Sequence, residues 1–150
     1  MEIIIVEEDP TEAIRKIINA DGPVYVKIFG HSCNGGSVFD MVELSTALKN
    51  CKYPTTAMAM DCVSLIPFVG AGNIDMDDRA FLYIAPLSIA LSPYNSSKDI
   101  NELNRFTKAI SESYSRWPKA KELFDSGEEY FISKEKATAM GIICPAIKEG

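Results

Sequence analysis

The chemistry this chain could do rests on two strand-to-helix junctions and one imidazole. The first junction is Gly30-His31-Ser32-Cys33-Asn34-Gly35-Gly36-Ser37-Val38. An apolar run, Val24 to Phe29, precedes it, and an amphipathic run, Val38 to Leu48, follows it. The adjacent glycines Gly35 and Gly36 let the backbone turn tightly and come close to another group. They also leave N–H groups pointing outward at the positive end of the next helix. Such donors suit a phosphate or the oxyanion of acyl transfer. A plain strand-to-helix turn would read the same way. The second junction is Asp61-Cys62-Val63-Ser64, where Pro67 is tolerable only in the first turn of the helix that follows. That puts the Ser64 hydroxyl at a helix start, as a nucleophile or as a simple cap. His31 is the single histidine. It is available as a base for Ser64, as a dyad partner for Cys33 or Cys62, or as a polar residue ending a strand.

These residues need a scaffold that brings the junctions together. Ile3 to Val6 reads as a short, fully buried strand. Asp9-Pro10-Thr11-Glu12 opens a helix with Asp9 as cap, and Ala13, Ile14, Ile17 and Ile18 make its apolar face. Val24 to Phe29 is a second strand, and Thr55 to Met60 a third. Between them lies a helix with Val38, Met41, Val42, Ser45 and Leu48 on one side. Asn73 to Asp78 reads as an Asp-rich turn, Arg79 to Ile84 and Ser88 to Leu91 as two strands. A helix capped by Asp99 carries Ile100, Leu103, Phe106, Ile110 and Tyr114 on one face, and Pro118 interrupts it. Tyr130 to Ile132 is a strand, Ser133 caps a helix to Met140, and Ile142-Ile143 make a last strand. Strands alternating with helices predict an α/β sheet with right-handed crossovers. The two junctions stand one crossover apart, so both belong at one edge of that sheet. The stretch 97–126 falls outside the alternation as an appended helix whose apolar stripe needs a partner.

At 150 residues the chain is expected to be one domain, 1–150, with a proper core. A net charge of −6 with scattered basic residues argues against nucleic acid. The start, Met1-Glu2-Ile3-Ile4-Ile5-Val6, has no basic region ahead of its short apolar run, so it does not read as a secretory leader. No apolar run approaches a membrane span. Cys33, Cys51, Cys62 and Cys144 show no CxxC spacing, so reduced thiols are expected and neither a metal nor a cofactor. A cytoplasmic location follows from these expectations.

Three segments together resemble the proteolytic subunit of the Clp protease (ClpP): GHSCNGGSVFD, then TTAMAMDCVSLIPFVGAG, then EEYFISKEKATAMGII. The family's oxyanion loop, SPGGSV, is matched by Cys33-Asn34-Gly35-Gly36-Ser37-Val38. Its nucleophile segment, GxAASM, is matched by Met60-Asp61-Cys62-Val63-Ser64-Leu65. Its closing pattern is matched by Glu129 to Cys144. The resemblance implies the ClpP/crotonase-like α/β fold of stacked β-α-β units, with a short handle helix at about 97–126. It also implies a ring-forming subunit, a heptamer being the expected number. In that frame Ser64 is the nucleophile, Gly35, Gly36 and the Leu65 N–H are the oxyanion donors, and Glu129 is the acid.

The same frame exposes departures. The family's histidine base follows the strand 88–91, and Ser92-Pro93 stands there instead. Without an imidazole a serine stays protonated, and losing the base costs several powers of ten in rate. Asp61 brings a carboxylate close to a developing oxyanion, and the N-terminal gating segment is essentially absent. An inactive or weakly active ring subunit is therefore the first expectation, a structural or regulatory partner of an active ClpP or of a Clp unfoldase. A compact chain of this kind suits a phage or mobile element. The alternative is an active serine endopeptidase that cleaves peptides with Ser64 and takes His31 as a rearranged base. A third reading is a crotonase-like acyl-CoA enzyme.

Overall fold

The computed structural model describes residues 2–7, 9–30, 38–87 and 97–143. The chain divides into two compact units. One comprises Met1–Tyr83 with Phe131–Gly150, the other Ile84–Tyr130.

In the first unit, β1 (Glu2–Val6), β2 (Val24–Ile28), β3 (Thr55–Ala59) and β5 (Asn73–Met76) form a parallel sheet in the order β1-β2-β3-β5. Strand β4 (Cys62–Ser64) leaves that sheet and pairs in parallel with β6 (Phe81–Ile84), and β7 (Tyr130–Ser133) borders β6. Helices α1 (Thr11–Ile18) and α2 (Val38–Asn50) pack on each other, and α2 packs on a 3-10 helix, Ile66–Gly70. The architecture is thus mixed α/β with parallel strands, as expected of the alternation. Among the described residues no helix is long and apolar enough to cross a membrane.

The core lies on one face of the four-stranded sheet. Ile4 and Val6, Val24, Val26 and Ile28, Ala57 and Ala59, and Ile74 and Met76 are buried there with Leu44 and Leu48 of α2. Each large aliphatic side chain so buried contributes about 1.5–3 kcal/mol. Two expectations of burial fail, each for its own reason. Ile3 and Ile5 are 61 % and 55 % exposed, because β1 is an edge strand and its alternate residues point to the opposite face. Ile18 is 69 % exposed, because only Ala13 and Ile17 of α1 reach the core.

Two further corrections concern elements. Asn73–Met76 is a strand, not a turn: Ile74 and Met76 are buried while Asn73 and Asp75 lie on the opposite face. Ile142-Ile143 is not a strand. Ser133 caps α5 (Lys134–Ala139) through its hydroxyl, which accepts the N–H of Lys136 at 3.3 Å. The N–H groups of Gly141 and Ile142 then close that helix on the carbonyls of Thr138 and Ala137. Ile142 and Ile143 are buried behind this cap.

The second unit contains α3 (Ser97–Ser113), a 3-10 turn (Tyr114–Arg116) and α4 (Pro118–Asp125). Its core is Ile110, Tyr114, Trp117, Ala120 and Phe124. The Tyr114 and Phe124 rings meet edge to face at 5.2 Å, a favoured aromatic geometry. Burial pushes the Tyr114 phenol far above its usual range. Pro118 opens α4 at its first turn, where it lacks only an N–H that the helix does not use.

Candidate functional site

Gly30, where the first junction begins, lies against the second junction. The N–H of Gly30, two residues past β2, donates to the Asp61 carboxylate in the turn between β3 and β4. The two segments approach so closely that a Cβ on Gly30 would lie 1.7 Å from the carbonyl oxygen of Cys62. Only glycine fits there. The carbonyl of Asp61 accepts the N–H of Phe81, which ties this turn to β6 as well.

Ser64 ends β4, opposite Tyr83 in the parallel register. It is 8 % exposed, and its Oγ accepts the N–H of Ile66 at 3.4 Å. The hydroxyl therefore sits just before the 3-10 helix and caps its first turn weakly; the bond is at the long limit of the geometry. Leu65 is fully buried, and its N–H donates to the carbonyl of Tyr83 at 3.0 Å. That group was expected as an oxyanion donor. In this conformation it completes a sheet hydrogen bond instead, and no spacing in the sequence announces Tyr83 as its acceptor.

Cys62 shares the Ser64 face of β4, half-buried, and neither Cys51 nor Cys62 forms a disulfide. Burial, and then the nearby Asp61 charge, push the Cys62 thiol up from its ordinary value. Both causes disfavour the thiolate, which is the reactive form.

Glu129, the expected acid, is exposed between α4 and β7 and belongs to the Ile84–Tyr130 unit. His31, Gly35, Gly36 and Ser92 lie outside the described residues, as do Cys33, the strand expected at 88–91 and Cys144. Among the described residues no group of three or more His, Cys, Asp or Glu side chains is arranged to hold a metal ion. The described part of the site is thus a buried serine at a strand end, a carboxylate on a backbone amide and a thiol held neutral. Compared with known proteins, the chain matches no family model and no curated sequence.

Proposed function

We propose that this chain is a ClpP-like, crotonase-fold subunit that associates with itself into a ring and lacks working peptidase chemistry. It acts in the cytoplasm as a structural or regulatory partner, mixing with an active ClpP subunit or contacting a Clp unfoldase. Support comes from the three resembling segments, in family order, on a chain whose parallel strands put Ser64 at a strand-to-helix boundary. The observation that carries the loss of chemistry is the state of the serine and its neighbour. The Ser64 hydroxyl is buried against the N–H of Ile66, and the Leu65 N–H is engaged by Tyr83. An acyl-transfer serine needs its hydroxyl beside a base, and the amide after it turned to the oxyanion. The only histidine is His31, and serine stands at position 92.

The test pairs a fluorogenic peptide assay with a serine-reactive fluorophosphonate on the purified chain. Neither turnover nor labelling is expected. Labelling at Ser64, or turnover abolished in Ser64→Ala, overturns the reading in favour of an active endopeptidase. The effect of His31→Ala on that turnover then decides whether His31 is the base. Acyl-CoA binding by calorimetry would instead assign the chain to the acyl-CoA class.

A further inference from the structure

Strand β1 turns one side of its backbone away from the sheet. It is the outermost strand of the order β1-β2-β3-β5. The N–H of Glu2 donates to the carbonyl of Pro23, and the carbonyl of Val6 accepts the N–H of Phe29. In a parallel ladder of one-for-one register, Glu2, Ile4 and Val6 therefore direct their backbone groups at β2. The N–H and C=O groups of Ile3 and Ile5 point the other way, where no described strand pairs with them. Both side chains are exposed as well. Glu2–Val6 holds no proline, lysine or bulge, the usual devices that blunt such an edge. The surroundings of the edge are acidic. Glu2, Glu7, Asp9 and Asp21 are exposed, and none of them forms an ion pair among the described residues. Arg15 is paired with Glu12, which leaves Lys16 of α1 and Lys27 of β2 as the cations on the adjoining elements.

We propose that the free edge of β1 takes up an extended segment of a partner protein, basic at both ends, as an added strand. A row of unpaired N–H and C=O groups is matched by another extended backbone, so β1 itself dictates the conformation of its partner. Partner residues opposite Ile3 and Ile5 share their face of the sheet, and β-branched side chains there cover the two isoleucines. Charge sets the ends. Glu2 and Glu7 are five residues apart, about 17 Å along an extended chain. Two lysines or arginines at the same separation, on an antiparallel partner, stand opposite both carboxylates. The same carboxylates oppose pairing of β1 with the β1 of a second copy. Centred on Ile4, that pairing would set Glu7 of each copy beside Glu2 of the other, and like charges across a ladder are destabilising. The chain's net charge of −6 also draws a cationic segment in at longer range. The surface stands on β1 alone and does not depend on closure of the chain into a ring.

The probe is the acetylated and amidated hexapeptide KTVTVK, added to the full chain. Binding is read by calorimetry and by amide exchange resolved residue by residue. Saturable binding is expected, with exchange at Ile3 and Ile5 slowed about tenfold or more and exchange at Ile4, already bonded to β2, unchanged. Methylating the two valine nitrogens, which face the edge, is expected to abolish binding, and methylating the threonine nitrogens to spare it. The peptide ETVTVE is expected to bind at least about tenfold more weakly, and Glu2→Lys combined with Glu7→Lys to reverse the order of the two peptides. Ile5→Pro removes an outward N–H and leaves the ladder to β2 in place, so it is expected to end binding, with circular dichroism checking the fold. No binding of KTVTVK up to millimolar concentration overturns the proposal, and so does binding that leaves exchange at Ile3 and Ile5 unchanged. Equal affinity for ETVTVE overturns the basic partner. Ile3 and Ile5 protected in the chain alone, and released on dilution, would assign the edge to a second copy and overturn the proposal too.

Discussion

The carboxylate of Asp61 accepts the backbone N–H of Gly30, and this contact fastens the end of β2 to the turn that starts β4. In the family resemblance the same carboxylate is an obstacle, a negative charge near a place meant for an oxyanion. Its observed partner gives it a different job. It satisfies an amide that the parallel ladder leaves over where β2 ends, and joins the four-stranded sheet to the three-stranded one.

Removing that acceptor leaves the Gly30 amide to water. Asp61→Ala is expected to lower stability by about 1.5 kcal/mol, the net worth of a part-buried hydrogen bond to a charged group. Amide exchange at Gly30 should speed up while Val26 and Ile28, inside β2, keep their protection. Asp61→Asn retains an acceptor oxygen and should lose less. Exchange at Gly30 unchanged in Asp61→Ala would show that the contact holds nothing.

Gly70 ends the 3-10 helix against α2, and a Cβ there would lie 1.8 Å from the backbone carbonyl oxygen of Ser45. Two backbones cannot yield as a flexible side chain can. Gly70→Ala is therefore expected to cost about 3 kcal/mol or more, at or beyond the upper end of ordinary overpacking. Gly22 is the control, because a Cβ there would meet nothing within 4 Å, and Gly22→Ala should leave the urea midpoint nearly unchanged. Equal midpoints for the two variants would refute the close packing of α2 on this helix.

Periodicity made the scaffold legible, and partners made the site illegible. Buried strands such as Val24–Ile28 and capped helices such as the one after Ser133 announce themselves through local residue types. Strand β5 did not, because Asn73 and Asp75 sit on its outer face and imitate a turn, although Ile74 and Met76 keep period two. Ile3 and Ile5 mislead in the opposite sense. They are apolar but exposed, since a sequence does not say that its strand will be an edge. At the site, the position of Ser64 at a strand end could be read from the chain. The acceptor of the Leu65 N–H could not, because Tyr83 reaches it only through the parallel pairing of β4 with β6.

In the Ile84–Tyr130 unit, Lys121 and Ser111 both donate to Asp125, at 2.7 and 2.5 Å, and hold its carboxyl below the usual carboxylate value. A carboxyl with a depressed folded pKa stabilises above its unfolded value. That contribution is lost as pH falls through the lowered folded value. Wild type should therefore exceed Asp125→Asn in stability by a constant margin from about pH 6 to 8, and the margin should close below about pH 4. Trp117, the single tryptophan and buried in the same unit, reports the unfolding by fluorescence. A margin that persists in strong acid would rule out a charged Asp125 as its source.

The Cys62 thiol bears on whether this chain has a second nucleophile beside Ser64. Burial is the larger cause raising its pKa and the Asp61 charge the smaller, so its thiolate is scarce at neutral pH. Alkylation by iodoacetamide at pH 7.5, read by peptide mass, should run at least about tenfold slower at Cys62 than for free glutathione. The rate should keep climbing with pH beyond the range where glutathione levels off. Asp61→Asn removes only the smaller cause and should speed the reaction modestly, leaving the burial contribution in place. Alkylation as fast as glutathione, with a profile that levels off near neutral pH, would mean an activated thiolate. A cysteine dyad with His31 would then replace the inert centre proposed for this sheet edge.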